Sequence, residues 1–257
     1  MFFFCDEEQI KNNILRSKEK QKVYFFDYDG TLSPFVKERH KAFMYKELIP
    51  FLNKLIRKNQ GKVFIITGRS IDSILPLLDD IYPIPEIWGS HGNERYIDGK
   101  LERLTTSNED VLKKLYSFIM EKGLENHCER KVISVTLHKR GLTKSDIQYI
   151  DSVKDIIKRR FPEIDVNNFD GGYEFLIDHK NKGDAVREIL DSFKEDVFPV
   201  YFGDDLTDED AFKEIRDKGL GVLVRKDKRE TNAHVWVTPP HGIVEMFKEV
   251  LCPKEDL

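Results

Sequence analysis

The sequence has few cysteines, no long apolar run and no excess of basic residues, and each absence excludes a class of protein. Its three cysteines, Cys5, Cys128 and Cys252, are widely separated and match neither a zinc spacing nor an even disulfide framework. No stretch approaches the roughly 20 apolar residues of a membrane span, and the apolar start is too short for a signal peptide. We therefore expect a protein of the reducing cytoplasm with no membrane partner.

The charge balance argues against nucleic acid as a partner. There are 42 Lys and Arg residues against 46 Asp and Glu, which gives a formal net charge of −4, whereas nucleic-acid-binding domains usually carry a basic excess. At 257 residues, the chain is long enough for one large domain or for a core with a modest insert. The sequence does not give the oligomeric state, and we favour a monomer.

Short apolar runs alternate with helical patterns along the chain. Val23–Phe26 and Val63–Ile66 are apolar on both faces, which is typical of strands buried in a parallel sheet. The Asp98-Gly99 pair between apolar residues predicts a hairpin. The other predicted strands are 86–88, 132–137, 164–166, 173–177, 200–202, 220–224 and 235–237. The predicted helices are about 45–59, 108–122, 145–160, 184–193 and 242–251, with one more after Ser70 as N-cap and another from 208.

The order of these elements predicts a core that is split in the sequence. An alternation of strand and helix occupies the first part and returns after residue 182, which is typical of a Rossmann-like, doubly wound parallel sheet. The part between has a different order and predicts a small α+β domain. We therefore predict an α/β fold in which residues 1–105 and 181–257 form the core and residues 106–180 form an inserted cap.

Four polar segments follow predicted strands or begin a helix. They are Asp27-Tyr28-Asp29-Gly30-Thr31-Leu32, Thr67-Gly68-Arg69, Lys182-Gly183 and Gly203-Asp204-Asp205-Leu206-Thr207-Asp208-Glu209. Ligands of open α/β sheets bind at the carboxyl ends of the strands, so we expect these segments to converge at one edge. Each segment alone is common as a turn or a helix cap. Their order along the chain is what indicates a site.

Phosphoryl transfer requires these residue types together. Asp27 is the predicted nucleophile, which forms an aspartyl-phosphate, and Asp29 is the predicted general acid and base. Asp27 and Asp204 are natural ligands for Mg²⁺, which binds one or two carboxylates together with phosphate oxygens and water. Thr67 and the Gly68 amide are expected to bind phosphate oxygens. Lys182 is expected to place a positive charge beside the intermediate.

These segments closely resemble those of the haloacid dehalogenase superfamily of phosphohydrolases and, within it, of the trehalose-6-phosphate phosphatase family. The narrower resemblance covers most of the chain and rests on three segments: Thr67-Gly68-Arg69, Gly89-Ser90-His91-Gly92-Asn93-Glu94 and Gly203-Asp204-Asp205-Leu206-Thr207-Asp208-Glu209-Asp210-Ala211-Phe212. It implies that Asp29 also binds the metal through its backbone carbonyl. We add Arg69 to the predicted phosphate-binding residues, and Asp205 and Asp208 to the residues that support the metal ligands.

The insert carries further similarities to the family. Glu129, Lys131, His138 and Arg140 resemble a family stretch with Glu-x-Lys followed by His-Tyr-Arg, and Glu174 resembles a cap glutamate that binds sugar hydroxyls. These residues either contact the substrate or form a solvated strand face. In the core, His91 either lines the pocket or is a turn histidine.

Two positions of the insert depart from the family pattern. Lys139 stands where the family usually has Tyr, and the usual Pro after the strand of Glu174 is missing. Both positions lie on the element predicted to face the substrate.

The resemblance implies a magnesium-dependent phosphatase that hydrolyses trehalose 6-phosphate. Because of the two departures, a phosphatase for glucosylglycerol phosphate or for a glucosyl- or mannosyl-phosphoglycerate remains an alternative. A phosphomutase and a receiver-like phospho-accepting module are less favoured. Asp29 argues against a receiver, because a receiver gains nothing from fast dephosphorylation.

Overall fold

The computed structural model describes residues 2–3, 20–104, 109–131, 134–176, 180–246 and 248. The strands within these ranges are β1 Phe2–Phe3, β2 Gln21–Phe26, β3 Val63–Ile66, β4 Glu86–Gly89, β5 Glu94–Ile97, β6 Lys100–Arg103, β7 Cys128–Arg130, β8 Ser134–His138, β9 Asp165–Phe169, β10 Gly172–Leu176, β11 Val197–Gly203, β12 Leu220–Val224 and β13 Val235–Val237. The helices are α1 Ile49–Lys58, α2 Ile71–Ile74, α3 Glu109–Glu121, α4 Lys144–Arg160, α5 Lys182–Asp191, α6 Glu209–Ile215 and α7 His241–Met246.

The chain divides into two compact units, Met1–Glu102 with Asn181–Leu257, and Arg103–Lys180. The larger unit is built on a sheet with the strand order β1-β13-β12-β11-β2-β3-β4-β5-β6. The strands from β13 to β4 run parallel, while β1 and β5 pair antiparallel with their neighbours β13 and β4. This is the predicted α/β fold with a Rossmann-like core.

The central strands are apolar on both faces because both faces are covered. Every residue of Val23–Phe26 and of Val63–Ile66 is buried. Phe26 stacks on Phe202 of the neighbouring strand β11, with ring centroids 5.0 Å apart. Aromatic pairs of this kind hold β2 against β11, and these two strands carry Asp27 and Asp204 at their ends.

The strand order reverses between β2 and β11. The chain moves from β2 outward to β3 and β4, and after the smaller unit it returns to β11 on the other side of β2. In open α/β sheets such a reversal opens a crevice at the carboxyl ends of the two strands. The fold therefore fixes where a ligand site of the larger unit lies.

The smaller unit is a four-stranded sheet, β7-β8-β10-β9, in which all three pairs are antiparallel. One face of the sheet packs on α3 and α4 through a cluster that includes Leu115, Phe118, Val153 and Phe175. Since side chains alternate along a strand, the residues between the apolar ones lie on the other face.

Several predicted elements differ from the structure at their ends. Helix α1 begins at Ile49 rather than near 45, with Pro50 in its first turn, where proline is tolerated. Ser70 is the N-cap of α2, but its side chain makes no cap hydrogen bond. The buried Glu94 carboxylate accepts the Ile71 N–H instead, at 3.1 Å. Strand β7 was not predicted.

Some predicted positions lie outside the described residues, namely 108, 132, 133, 177, 247 and 249–251. The departure after β10, at 177–179, also lies there. Within the described part of the chain, no helix combines the length and the hydropathy that crossing a membrane requires.

Candidate active site

Three of the predicted segments lie at the carboxyl ends of neighbouring parallel strands. Asp27 follows β2, Thr67 follows β3 and Asp204 follows β11. The Asp27 amide donates to the Phe202 carbonyl at 2.8 Å, which continues the pairing of β2 with β11 up to the site. The strand pairing therefore holds Asp27 and Asp204 beside the point where the strand order reverses.

Lys182 joins two of the carboxylates from the start of α5. Asn181 caps this helix with its side chain, so Lys182 is the first helical residue. Its Nζ lies 2.7 Å from Asp27 Oδ1 and 2.7 Å from Asp208 Oδ1, and the side chain is only 2% exposed. Burial disfavours the charged amine, but Asp208 and Asp27 outweigh burial and raise the pKa of Lys182. The structure thus holds a fixed cation beside Asp27.

Asp208 is fully hydrogen-bonded and organises the segment around it. Its Oδ1 accepts from Lys182 and from the Tyr201 hydroxyl, each at 2.7 Å. Its Oδ2 accepts from the backbone amides of Asp204 and Asp205, each at 2.9 Å. These four bonds occupy the lone pairs of the carboxylate, so Asp208 fixes Lys182 and the loop that carries Asp204.

Asp204 is buried and, among the described residues, neither of its carboxylate oxygens has a hydrogen-bond partner. Burial raises the pKa of this carboxyl well above its ordinary value, and the nearby Asp27 and Asp208 raise it further. Buried charged groups are normally paired or bound to a metal. Asp204 is therefore a group that lacks its counter-charge.

The acidic cluster is suited to a hard metal ion. Asp27, Asp204 and Asp208 each offer a carboxylate oxygen, and these atoms lie within 4.8 Å of one another. Asp208 is already bonded four times, which leaves Asp27 and Asp204 as the candidate ligands. The two orphaned oxygens of Asp204 are the observation that makes these residues fit a cation.

The turn after β2 brings the backbone against Asp204. Gly30 has φ +85°, and a Cβ atom there would lie 2.4 Å from Asp204 Oδ2. Only glycine permits both this backbone conformation and this close approach. The Asp27-to-Gly30 turn and Asp204 therefore form one tightly packed site.

Asp29 is held by Arg69 rather than left free. Arg69 Nε lies 2.7 Å from Asp29 Oδ2, and Nη2 lies 2.6 Å from Asp29 Oδ1. The side chain of Arg69 is 1% exposed, while that of Asp29 is 28% exposed. The predicted phosphate-binding role of Arg69 stays a prediction, and the structure shows its guanidinium on Asp29.

Thr67, Gly68 and His91 pack together at the carboxyl end of β3. Thr67 Oγ1 accepts the Arg69 amide at 3.2 Å, and the Thr67 carbonyl accepts the His91 amide at 2.9 Å. The His91 ring packs directly on Gly68, where a Cβ would lie 2.7 Å from ring atoms. His91 and Ser90 both have positive φ, at 57° and 49°. His91 is therefore a turn residue whose ring packs on Gly68, and its role in lining the pocket stays a prediction.

The predicted substrate residues of the smaller unit lie close together on its sheet. Glu174 accepts from Lys131 Nζ and from Ser134 Oγ, each at 2.7 Å. The His138 ring lies 2.9 Å from Glu129 Oε2. Glu129, Thr136 and Glu174 are cross-strand neighbours on the face opposite the helices. Arg140 lies near Gly171, in the turn between β9 and β10.

Lys139 lies on the other face of the same sheet. Its Nζ is 4.0 Å from the centre of the Tyr173 ring and 3.4 Å from Asp151 Oδ1 of α4. The Tyr173 hydroxyl donates to the same Asp151 oxygen at 2.7 Å. Because side chains alternate along the strand, the departure at 139 occurs on the helix-packed face of the sheet.

Arg229, which no sequence motif predicted, holds the Asp204 loop from outside together with Glu209 of the predicted fourth segment. Arg229 donates to the carbonyl of Asp205 at 2.8 Å and to that of Asp204 at 3.3 Å. Glu209 pairs with Arg229 and accepts from Thr231 and twice from Asn232. Because Arg229 lies some twenty residues beyond Glu209, no local pattern predicted this pairing.

Comparison with known proteins identifies the family of this chain. The sequence matches the family model for trehalose-phosphatase over residues 25–238. It is 29% identical to the probable trehalose-phosphate phosphatase I of Arabidopsis thaliana over 95% of this chain and 71% of that one. It is 30% identical to trehalose-phosphate phosphatase B of the same plant over 91% of this chain and 67% of that one.

Solved structures show the same fold. The C-terminal domain of trehalose-6-phosphate phosphatase from C. albicans is similar with a TM-score of 0.73 at 21% identity, over 95% of this chain and 96% of that one. A haloacid dehalogenase-like hydrolase from Bacteroides thetaiotaomicron is similar with a TM-score of 0.69 at 14% identity, over 88% of this chain and 98% of that one. The protein therefore belongs to the trehalose-phosphatase family.

Proposed function

We propose that this protein hydrolyses trehalose 6-phosphate to trehalose and phosphate, with Asp27 as the nucleophile and Mg²⁺ as the metal ion. The relatives named above are trehalose-phosphate phosphatases. The observation that carries the proposal is the buried cluster in which Lys182 pairs with Asp27 and Asp208 beside the unpartnered carboxylate of Asp204.

The residues of the larger unit account for both half-reactions. A carboxylate oxygen of Asp27 attacks phosphorus, and the bond from phosphorus to the sugar oxygen breaks. The carboxyl group of Asp29 gives its proton to the departing oxygen. In the second step Asp29 takes a proton from water, whose oxygen attacks phosphorus and releases Asp27.

Lys182 and the Thr67 loop support the transferred group. The ammonium of Lys182 lies 2.7 Å from Asp27 Oδ1, so its charge is already in place when the phosphoryl group arrives there. Such fixed charges act without reorganisation during the reaction. Thr67 and the Gly68 amide are the proposed phosphate contacts. The His91 ring packs on Gly68 beside them.

Mg²⁺ is the ion we propose for the acidic cluster. Asp27 and Asp204 would hold it through carboxylate oxygens, with the Asp29 carbonyl as a third protein ligand, and Asp205 and Asp208 support the segment that carries Asp204. The chemistry that Mg²⁺ supplies is neutralisation of the charge that carboxylates and phosphate oxygens bring together. This small number of protein ligands is typical of Mg²⁺, because the ion keeps several of its water ligands.

The unit Arg103–Lys180 is the proposed cap, and its sheet is the proposed sugar-selecting surface. Glu129, Lys131, His138, Arg140 and Glu174 supply donors and acceptors that suit sugar hydroxyls. Since Lys139 lies on the opposite face, its departure from the family pattern does not alter this set. This favours trehalose 6-phosphate over the other phosphorylated glycosides.

A phosphate-release screen tests the proposed substrate. The purified protein with Mg²⁺ is assayed on trehalose 6-phosphate, glucosylglycerol phosphate, glucosyl- and mannosyl-phosphoglycerate, and phosphorylated monosaccharides. We expect the highest kcat/KM for trehalose 6-phosphate and reversible loss of activity with a chelator. A higher kcat/KM for another phosphorylated glycoside would assign the enzyme to that substrate instead. Product analysis separates hydrolysis from phosphoryl transfer to a second sugar.

A further inference from the structure

We propose that Arg69 is a positioning residue that holds the carboxylate of Asp29 in the orientation from which it exchanges protons with the substrate. This inference rests on the proposed function, which makes Asp29 the proton donor and acceptor. It differs from the role suggested by the sequence, in which Arg69 binds the phosphate group.

The geometry of the pair is that of a two-point clamp. Nε and Nη2 of Arg69 each donate to a different oxygen of Asp29, at 2.7 and 2.6 Å. Two parallel bonds of this kind fix the plane of a carboxylate as well as its distance. An ionised carboxylate has about four lone-pair positions, so each oxygen of Asp29 keeps one with which to accept a proton.

The guanidinium of Arg69 has little freedom to leave Asp29 for a phosphate oxygen. It is buried, its Nη1 lies 3.5 Å from Ser73 Oγ, and it lies 5.7 Å from the centre of the Tyr28 ring. Asp29 is its only carboxylate partner among the described residues. Separating the pair would leave the buried guanidinium without its counter-charge, which is unfavourable.

The elements around Arg69 are themselves fixed. The Tyr28 hydroxyl donates to the Ala42 carbonyl at 2.9 Å and approaches the Leu77 carbonyl at 3.3 Å. The backbone of Arg69 donates to Thr67 Oγ1 and accepts from the Ser90 amide at 2.7 Å. Arg69 is therefore a rigid support, and the orientation that it gives to Asp29 is set by the fold.

The two roles of Arg69 differ in how they depend on the leaving group. An alkoxide leaving from a sugar phosphate needs the proton of Asp29, whereas p-nitrophenolate leaves without one. Loss of the clamp should therefore slow the first step for the sugar phosphate and spare it for p-nitrophenyl phosphate. Loss of a phosphate ligand should slow the first step for both substrates and raise both KM values.

The test compares Arg69→Gln and Arg69→Lys with the wild type in the presence of Mg²⁺. We expect kcat/KM of Arg69→Gln for trehalose 6-phosphate to fall at least about 100-fold, the lower end of what general acid–base catalysis supplies. The pre-steady-state burst of p-nitrophenolate should keep its rate within about threefold. The steady state after the burst should be slow, because Asp29 also activates the water of the second step.

Arg69→Lys shows whether the two parallel hydrogen bonds of the guanidinium matter or only its charge. Lysine keeps the charge but donates as a single point, so we expect its kcat/KM to stay closer to that of Arg69→Gln than to that of the wild type. Full recovery with lysine would overturn the positioning role. Equal losses for both substrates, with a slower burst, would also overturn it and favour phosphate binding.

Arg95→Gln is the matched control. Arg95 also pairs with a carboxylate, that of Glu86 at 2.6 Å, and also lies 5.7 Å from an aromatic ring, that of Trp88. We expect this variant to keep wild-type kinetics on both substrates. Thermal unfolding shows whether each variant folds. If Arg69→Gln does not fold, Arg69→Lys is compared with the wild type in its place.

Failure of this inference and failure of the proposed function are distinguishable. Wild-type turnover of trehalose 6-phosphate, and its loss in Asp27→Asn, test the proposed function. The Arg69 test depends only on how much the first step slows for an alkyl phosphate compared with an aryl phosphate. If another sugar phosphate is the preferred substrate, the same ratio is measured with that compound.

Discussion

The four aspartates of the core site differ in how far the protein satisfies them. Asp208 accepts four hydrogen bonds, Asp29 is clamped by Arg69, Asp27 accepts from Lys182, and Asp204 has no partner among the described residues. Chemically identical side chains therefore have different tasks. The unsatisfied one is the candidate for binding a cation, and the fully satisfied one holds the others in place.

Asp204→Asn should remove the effect of Mg²⁺ on stability. Binding at about 100 times Kd stabilises a protein by about 2.7 kcal/mol, so the wild-type Tm should rise with Mg²⁺ and that of the variant should not. Without metal, the variant should be at least as stable as the wild type, because it no longer buries an unpaired charge. Differential scanning calorimetry with and without Mg²⁺ measures both effects.

Asp210→Asn is the control for this prediction. Asp210 lies in α6 and makes a mostly exposed pair with Lys213, 46% and 61% exposed respectively. Its replacement should leave the Mg²⁺-dependent rise intact. A rise that persists in Asp204→Asn would mean that the ion binds elsewhere.

At the residue scale, the sequence predicted the groups that follow strands and missed the groups that reach them from a distance. Asp27, Thr67 and Asp204 lie where the strand-end rule puts them. The partner of Arg69 was not predicted, because a long side chain after a strand reaches either a ligand or a neighbouring turn. Arg229 has no strand-end position and no recognisable spacing, so its pairing with Glu209 was not predicted.

The turn after β2 is an element whose shape depends on Gly30. A side chain there meets two obstacles, the positive φ and the carboxylate of Asp204 at 2.4 Å. Gly30→Ala should therefore displace Asp204 or the turn. We expect phosphatase activity to fall about 100-fold, because displacements of about 1 Å at a catalytic group have that effect.

Gly61→Ala separates the two obstacles. Gly61 has φ +71°, and a Cβ there would have nothing within 4 Å. Its replacement should cost about 1–2 kcal/mol of stability from the backbone alone and leave kcat unchanged. Steady-state kinetics and thermal unfolding of both variants measure this. Similar activity in the two variants would contradict the close packing of Gly30 on Asp204.

The pairing of β12 with β13 depends on a neutral imidazole. His234 is fully buried, its Nδ1 lies 2.9 Å from the Gly221 amide, and its Nε2 lies 2.9 Å from the Arg216 carbonyl. Since the Gly221 amide donates, Nδ1 must be unprotonated and Nε2 carries the hydrogen. Burial lowers the pKa of His234 below its ordinary 6.5.

This lowered pKa gives a pH dependence of stability with a definite sign. Below pH 6.5 the unfolded chain binds a proton at His234 that the folded chain does not, so stability falls as the pH drops towards the folded pKa. The slope is at most about 1.4 kcal/mol per pH unit. His234→Gln should lose this part of the slope between pH 7.5 and 5.5, measured by urea unfolding.

The exposed His40 supplies the control, since its side chain is 75% exposed. His40→Gln should keep the wild-type slope. If His234→Gln also keeps it, the imidazole is not held neutral by its burial.

At the element scale, the strands were easier to predict than the helix ends. Runs that are apolar on both faces, such as Val23–Phe26, have one stable position, in the middle of a covered sheet. Strand β7, Cys128–Arg130, has no such run and is stabilised by pairing with β8. The start of α2 depends on Glu94, which is distant in sequence and replaces the expected cap of Ser70.

For the whole molecule, the chain combines a unit that carries the proposed chemistry with a unit that carries the proposed sugar selection. The first is recognisable from short motifs because phosphoryl transfer demands particular groups at strand ends. The second depends on which face of a sheet each residue occupies. His138 lies on the face with Glu129, whereas its neighbour Lys139 contacts Asp151 on the helix-packed face.

Glu174→Gln should therefore affect substrate binding more than chemistry. Hydrogen bonds to charged groups contribute roughly 1.5–3 kcal/mol, so we expect KM for trehalose 6-phosphate to rise about tenfold or more with kcat nearly unchanged. Steady-state kinetics measure the two constants separately. Asp151→Asn, which changes an acid on the helix-packed face, should leave KM unchanged. An unaltered KM in Glu174→Gln would remove Glu174 from the sugar-binding set.

The central claim is that Asp27 carries the phosphoryl group, and acid-quenched single turnover tests it most directly. The wild type and Asp27→Asn are mixed with trehalose 6-phosphate and Mg²⁺, quenched, and mapped by peptide mass. We predict a phosphoryl group on Asp27 in the wild type, and in the variant no covalent adduct and a loss of phosphate release of at least about 10³-fold. A variant that folds like the wild type and releases phosphate at a comparable rate, or an adduct on another residue, would contradict the account.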